Sequence, residues 1–164
     1  TFGVIEAATE LTVETWSNHN GWYLDLPAVG ERLLKPMEFY DGSNILAVYS
    51  QVPAKGNNVD PDIETCEAAE ADDERQYRTL INIMDGKRPT VQLVDYNGNN
   101  VYDSSDLFVS RREVHKGPHN LIATSRDVMM DVATATSDED EVDDLIEQLA
   151  RMPEQSTRPS WLAQ

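Results

Sequence analysis

Two β-forming runs separated by a short turn constrain the fold of this chain more than any other feature. Residues 45–52 read Ile-Leu-Ala-Val-Tyr-Ser-Gln-Val, which is the length of one strand and contains neither glycine nor proline. Residues 37–40 form a shorter run before it, and residues 41–44 between the two read Asp-Gly-Ser-Asn, types that tolerate turn conformations. The pair predicts an antiparallel hairpin, and hence a protein built mainly of β-sheet.

Further segments continue the β pattern along the chain. Residues 11–16 alternate apolar and polar side chains, which is the period-two pattern of a half-buried strand. Other runs of β-forming residues predict strands at residues 77–84, 90–94, 120–124 and 127–136. Asp-Gly-Lys at residues 85–87 predicts a turn after the first of these four.

The C-terminal part of the chain predicts one amphipathic helix over residues 137–153. Ser137 is a good N-cap, because its hydroxyl can accept a hydrogen bond from an unpaired backbone N–H, and the acidic residues that follow suit a helix N-terminus. Pro153 ends the pattern. The apolar residues at helical spacing are Val142, Leu145, Ile146, Leu149 and Met152. The predicted organisation is therefore a single segment, with residues 1–136 mostly β, this helix, and a tail at residues 154–164.

The charge balance narrows the range of partners. The chain holds 30 acidic and 13 basic residues, a net charge of −17, which disfavours nucleic acid because its phosphates would be repelled. Much of the acid lies in residues 60–74 and 138–147, runs typical of solvated loops or helix faces. No stretch approaches the roughly 20 apolar residues of a membrane-spanning helix, so no membrane span is predicted.

Two features of the sequence leave alternatives open. The chain begins with Thr1, which fits either a processed N-terminus or a segment of a longer protein. Cys66 is the only cysteine, so it is either a free thiol or bridged to a cysteine outside this sequence. With no second cysteine or histidine at ligand spacing, a structural zinc site is not predicted.

Candidate catalytic residues are sparse. Asp60 and Asp62 form a pair of acids in a polar stretch, and His115 and His119 flank Lys-Gly-Pro, which predicts an exposed turn. Neither pair lies beside an apolar pattern that would form a pocket and shift a pKa. The sequence therefore favours a protein without enzymatic activity.

Residues 95–106 carry the clearest chemical pattern in the sequence. Side-chain oxygens occur at alternate positions, which is how a short loop surrounds a calcium ion that requires six to eight oxygen ligands. Val101, the seventh residue of the loop, can contribute its backbone carbonyl even though its side chain cannot coordinate. The predicted ligands are Asp95, Asn97, Asn99, Val101 and Asp103.

The middle and end of this loop fit the same interpretation. Gly98 and Asn100 tolerate the left-handed backbone angles that a tight curl requires. Asp106 stands where an EF-hand has a bidentate glutamate, and it is an additional candidate ligand. Two or three carboxylates with two amides predict an affinity on the order of micromolar to millimolar, and weaker binding of magnesium.

Residues 21–27, Gly-Trp-Tyr-Leu-Asp-Leu-Pro, followed by Gly-Glu-Arg at residues 30–32, resemble a signature of the PilY-type proteins of type IV pilus biogenesis. In that family the signature lies in a C-terminal β-propeller, and a calcium loop follows at a similar distance. Residues 158–161, Arg-Pro-Ser-Trp, are similar to the closing stretch of the family. The resemblance covers most of the chain, and the signature and the loop are its specific parts.

The resemblance implies a partial propeller of about two to three blades, since a blade takes about 40–45 residues. It also implies a cell-surface or pilus-tip factor, found in the outer membrane or in transit through the periplasm, that supports pilus assembly, adhesion and twitching motility and opposes retraction. Its partners would be minor pilins and the rest of its own propeller. The family's ligand role carries over to all five predicted ligands, although Asn97 stands where aspartate is frequent, which implies a weaker site.

Two other interpretations of the loop remain. It can be a polar turn held by side-chain to backbone hydrogen bonds. It can also belong to a dockerin-like or carbohydrate-enzyme-associated module, although dockerins carry two such loops, each leading into a helix, and only one is present here. Calcium in this loop can be a regulatory ligand or a structural staple, depending on its affinity relative to the surrounding concentration.

Overall fold

A computed structural model of the chain describes residues 2–3, 12, 17–53, 74–106, 109–134 and 145–153. The described strands form two antiparallel sheets, which confirms the prediction of a mainly β protein. The first sheet contains β1 (Phe2–Gly3), β2 (Arg32–Leu33), β3 (Glu38–Phe39), β4 (Ile45–Val52), β5 (Arg75–Asn82) and β6 (Arg111–Val114). The second contains β7 (His119–Ala123), β8 (Val128–Ala133) and β9 (Ile146–Ala150).

The order of the strands places β4 and β5 at the centre of the first sheet. The order is β1-β6-β5-β4-β2, and β3 also pairs with β4. The second sheet runs β7-β8-β9. Among the described strands, every pairing is antiparallel.

The predicted hairpin is confirmed. Phe39 on β3 pairs with Leu46 on β4, and a short 3-10 helix, Tyr40–Gly42, makes the turn between them. Asp41 and Gly42 have φ angles of 50° and 66°, the left-handed conformation that aspartate and glycine adopt more readily than most residues. The turn residues predicted from the sequence therefore form the tight connection between β3 and β4.

Strands β4 and β5 are covered on both faces, so nearly every residue along them is buried or half-buried. Ala47 and Leu80 are paired residues on one face and belong to the main core, together with Leu149. Val48 and Ile81 lie on the opposite face, where Trp22, Leu24 and Leu46 pack against them. A strand buried on both faces needs no alternation of polar residues.

The other strand predictions were partly right. The predicted strand at residues 77–84 lies two residues too far along the chain relative to β5, and those at 120–124 and 127–136 correspond to β7 and β8. The prediction of a strand at residues 90–94 was wrong, because Val94 alone in this stretch pairs with another strand, through an isolated β-bridge to Leu149. Strands β2 and β6 were not predicted.

The prediction of a helix over residues 137–153 was wrong where the structure describes the segment. Residues Ile146–Ala150 form β9, which pairs along its whole length with β8. Pairing with β8 buries Leu149 completely in the core and brings Glu147 to two arginines of the first sheet. These tertiary contacts override the helical periodicity, which is a weak preference by comparison.

Several predictions fall outside the described residues: the strand at residues 11–16 except Thr12, nearly all of the acidic run at 60–74 with Cys66, the start of the predicted helix, and the tail. In the part of the chain that the structure describes, no helix has the length and apolar character needed to cross a bilayer.

Candidate functional site

The loop at residues 95–106 starts from a fixed point in the core. Leu93 and Val94, which precede it, are each only 2% exposed. Val94 forms a bridge with Leu149, and the backbone N–H of Ala150 donates to the Leu93 carbonyl at 3.0 Å. Strand β9 of the second sheet therefore anchors the two residues that lead into the loop.

The carboxylate of Asp95 organises the first half of the loop. Its Oδ1 accepts hydrogen bonds from the N–H groups of Gly98 at 2.7 Å and Asn99 at 3.3 Å, and its Oδ2 accepts from Asn100 at 2.7 Å. The chain curls around this side chain because Gly98 and Asn100 have φ angles of 75° and 61°. The predicted requirement for left-handed residues at these two positions is confirmed.

The two amide side chains continue the curl. Oδ1 of Asn97 accepts the N–H of Asn99 at 3.0 Å, and Oδ1 of Asn99 accepts the N–H of Val101 at 2.7 Å. The amide of Asn97 also donates to Ser105 Oγ at 3.0 Å. Each side chain thus faces its own backbone, as the alternative interpretation of a polar turn predicts.

Asp106 joins the two ends of the loop. It is 3% exposed; its Oδ1 accepts from the N–H groups of Tyr96 at 2.9 Å and Asn97 at 3.2 Å, and its Oδ2 accepts from Asp103 at 3.1 Å. The structure therefore gives this carboxylate backbone partners at both ends of the loop. Sequence reasoning considered Asp106 only as an additional ligand and missed this function.

Asp103 lies on the exposed side of the loop. Its Oδ1 accepts the N–H of Ser105 at 2.7 Å. Hydrogen bonds from the side chain and backbone of Ser105 hold the pKa of Asp103 below its usual value, so this residue is a carboxylate at neutral pH.

The residues present can be compared with what calcium requires. All five predicted ligands lie in this one loop, and a carboxylate offers about four lone-pair positions, of which the described hydrogen bonds occupy three on Asp95. Among the described residues, no group of three or more His, Cys, Asp or Glu side chains is arranged to hold a metal. A cation here would depend on the amide oxygens of Asn97 and Asn99 and the carbonyl of Val101 as well as on the two carboxylates.

A polar cleft of about 410 Å³ lies beside the loop. Its lining includes Asp95 and Asn100 of the loop together with Arg112, His115 and Glu147. Burial, followed by the charges of Asp95, Glu147 and Asp106, raises the pKa of nearby Tyr102. The loop carboxylates and Glu147 therefore act on the same side chain.

Two rows of paired residues face each other behind this cleft. Along the first sheet, Tyr49 pairs with Arg78 and Arg78 with Arg112; along the second, Asp131 pairs with Glu147. Nη1 of Arg78 lies 2.6 Å from Asp131 Oδ2 and 3.0 Å from Glu147 Oε2, and Arg112 Nη1 lies 2.5 Å from Glu147 Oε1. We call Arg78, Arg112, Asp131 and Glu147 the ionic cluster; it joins the two sheets.

His119 extends the ionic cluster from the first position of β7, directly after the Lys-Gly-Pro stretch that it flanks. It is 5% exposed, and its ring stacks on Tyr49 with centroids 5.1 Å apart. Nδ1 lies 2.9 Å from Asp131 Oδ1, and Nε2 lies 2.7 Å from the His115 carbonyl. Burial would raise the pKa of Asp131, but His119 and Arg78 together hold it below its usual value.

Sequence reasoning missed the ionic cluster, although a signal for it existed. Arg78 is a lone charge in a run of otherwise uncharged residues, Tyr-Arg-Thr-Leu-Ile-Asn-Ile-Met, and Asp131 is a lone charge in Val-Met-Met-Asp-Val-Ala. Charges are rarely buried unless paired, so two isolated charges of opposite sign in predicted strands indicate an ion pair between them.

The residues at 21–32 that resemble the PilY-type signature have structural contacts. Trp22 Nε1 donates to the Ile83 carbonyl at 2.8 Å, and Leu24 packs on the side of the first sheet opposite the ionic cluster. Glu31 accepts two hydrogen bonds from Arg111, at 2.7 and 2.9 Å, and these, with others from Ser50 and the Ala28 N–H, keep its pKa low despite burial. These residues attach the segment to the sheet.

The chain matches no protein-family model, no curated protein and no solved structure.

Proposed function

We propose that this chain binds one calcium ion in the loop at residues 95–106 and acts as a non-enzymatic, calcium-dependent module of a cell-surface protein. The observation that carries the proposal is the arrangement of the loop itself. Oxygen-bearing residues at alternate positions, Asp95, Asn97, Asn99 and Asp103, occur within one curled segment whose two ends the buried Asp106 holds together. The backbone carbonyl of Val101 completes the ligand set.

The existing hydrogen bonds support binding of a cation to this loop. The loop is already curled by bonds from its N–H groups to Asp95, so less ordering has to accompany binding. Two carboxylates with neutral oxygens place the affinity in the range of extracellular calcium modules, about 10⁻⁴ to 10⁻³ M. Magnesium binds more weakly because it requires a smaller, octahedral arrangement of ligands.

The position of the loop suggests what calcium does. Asp95 and Asn100 line the cleft beside the ionic cluster, and β9 anchors Val94, the residue just before the loop. A bound ion would hold this wall of the cleft in one shape. A partner that contacts the cleft would therefore bind more tightly when calcium is present.

For the biological setting we propose a type IV pilus factor of the PilY type, with the two sheets belonging to a larger β-propeller. The support is the sequence resemblance at residues 21–32 and at the loop, in a mainly β protein with antiparallel sheets. The partners are then minor pilins and the remainder of the propeller, at the pilus tip or cell surface.

The contacts of His119 favour a structural role over catalysis. The side chain is buried, and both ring nitrogens lie within hydrogen-bond distance of protein oxygens. It therefore offers no free ring nitrogen to a substrate, which supports a non-enzymatic function.

Calorimetric titration with calcium tests the metal proposal. Asp95→Ala and Asp103→Ala should abolish the binding heat, whereas Asp127→Ala, an exposed acid in the turn between β7 and β8, should leave it unchanged. Circular dichroism should show that all three variants remain folded. The absence of heat for the unaltered chain at millimolar calcium would overturn the proposal.

The pilus proposal requires a separate measurement. The gene carrying Asp95→Ala and Asp103→Ala, or the Asp127→Ala control, would replace the original in its own host, and surface pili and twitching would be compared. Loss of pili in the first strain alone supports the proposal. Normal pili together with abolished calcium binding would remove the pilus function but leave the metal site intact.

A further inference from the structure

Two buried hydrogen-bond donors belong to residues that are paired across neighbouring strands of the first sheet. They are the hydroxyl of Tyr49 and Nη2 of Arg78, and each residue is 1% exposed. Neither atom makes a hydrogen bond of ordinary geometry with the residues that the structure describes, although the Tyr49 hydroxyl lies near the Asp131 carboxylate. Tyr49 and Arg78 are directly paired across β4 and β5, so their side chains leave the same face of the sheet.

Neither side chain is free to turn its donor elsewhere. Arg78 directs Nη1 to both Asp131 and Glu147, and this pair of contacts fixes the guanidinium plane and with it the position of Nη2. The Tyr49 ring is stacked on His119, and Lys35 Nζ also contacts this ring, at 4.1 Å from the Tyr49 ring centroid. A fixed, buried and unsatisfied donor is costly, so two adjacent ones require an acceptor.

We propose that a single tightly held water molecule binds between the Tyr49 hydroxyl and Arg78 Nη2, as a permanent part of the junction between the sheets. One water oxygen can accept both hydrogen bonds. One of its hydrogens can then be donated to Asp131, whose carboxylate has about four lone-pair positions and already contacts Arg78 and His119.

The charges around the site favour a neutral acceptor over an anion. The two arginines and two acids of the ionic cluster cancel, so an added chloride would be an uncompensated charge beside two carboxylates. Burial and the neighbouring Asp131 raise the pKa of Tyr49, and its hydroxyl therefore keeps its proton and remains a donor.

The first test is a high-resolution crystal structure of the chain. We expect a density peak within hydrogen-bond distance of both Tyr49 Oη and Arg78 Nη2. Direct contact between these two atoms or their separate bonding to protein oxygens, with no such peak, would overturn the proposal.

The second test uses Tyr49→Phe, which keeps the ring and its stacking and removes only the hydroxyl. Magnetic relaxation dispersion of water ¹⁷O should show a smaller contribution from long-lived water, and Tm should fall. Tyr77→Phe removes a hydroxyl from the opposite face of the same sheet and should leave the dispersion unchanged. An unchanged dispersion in Tyr49→Phe, or a rise in Tm, would mean that the hydroxyl is an unhydrated orphan, and the proposal would be wrong.

Discussion

Asp131 and Glu147 lie directly opposite each other on β8 and β9, so two like charges share one cross-strand position. A pair of this kind is destabilising when nothing compensates it. Arg78, from the other sheet, places one nitrogen within 2.6 and 3.0 Å of the two carboxylates, and Arg112 takes the second oxygen of Glu147. The two arginines of the first sheet therefore neutralise the repulsion between Asp131 and Glu147, and the same ion pairs hold the two sheets together.

Replacing Arg78 with methionine should therefore destabilise the fold strongly. The substitution preserves much of the side-chain volume but leaves the buried Asp131 and the half-buried Glu147 without their common cation. Removing one partner of a buried ion pair costs about 3–5 kcal/mol. Urea unfolding followed by circular dichroism would measure the loss. Arg32→Met, at an exposed position of β2, is the matched control and should stay within about 0.5 kcal/mol of the original chain. Equal stability of the two variants would contradict a structural role for the cluster.

Stability should fall as the solution becomes acidic. Asp131, Glu31 and Asp41 each have a pKa below the usual value: Asp131 and Glu31 despite burial, and Asp41 chiefly because Arg151 binds it. A carboxyl group with a lowered folded-state pKa contributes its stability above its unfolded-state pKa, about 3.9 for Asp and 4.3 for Glu. That contribution is lost as pH falls through this value toward the lowered one.

The urea midpoint should accordingly be flat near neutral pH and decline below about pH 5. Asp131→Asn should start from a lower midpoint and decline less steeply, because one of the three linked groups no longer titrates. Asp127→Asn, at an exposed position, should follow the original curve. A midpoint that stays constant down to pH 3 would show that these ion pairs do not stabilise the fold.

The features that could be predicted from sequence are those determined by neighbouring residues. The hairpin around Asp41 and the curl around Asp95 depend on local turn chemistry, and both are present in the structure. Strand β9 was mistaken for a helix because the contacts that decide it, from Glu147 to Arg78 and Arg112, come from distant parts of the chain. The clamp made by Asp106, whose carboxylate accepts hydrogen bonds from backbone N–H groups at both ends of the loop, was missed for a related reason. Residue type alone does not distinguish a metal ligand from a carboxylate that binds backbone N–H groups.

Removing the Asp106 carboxylate should loosen the loop without touching any of the five predicted ligands, Asp95, Asn97, Asn99, Val101 and Asp103. Three backbone N–H groups, those of Tyr96, Asn97 and Asp103, lose their acceptor in Asp106→Ala. Leaving such groups unsatisfied costs about 1–3 kcal/mol each where they stay buried, and less where water reaches them. We expect faster amide hydrogen exchange at these three residues, measured by NMR without calcium. Asp103→Ala, which removes an exposed carboxylate, should leave the exchange of Tyr96 and Asn97 unchanged. Protection that persists in Asp106→Ala would show that the clamp does not order the loop.

The contact between Trp22 and Gly86 allows a test of how the segment at residues 21–32 is attached. Gly86 has a φ of 69°, and a Cβ at this position would lie 2.7 Å from Trp22 Cδ2, well inside contact distance. Gly86→Ala should therefore suffer both backbone strain, of about 1–2 kcal/mol, and displacement of the indole. Gly98→Ala has a similar φ of 75° but open space around its Cβ, so it reports the strain alone.

The difference in unfolding free energy between the two variants then measures the packing of Trp22, and indole fluorescence should shift to longer wavelength only in Gly86→Ala. Equal losses with unchanged fluorescence would mean that Trp22 yields easily and contributes little to holding the segment on the sheet.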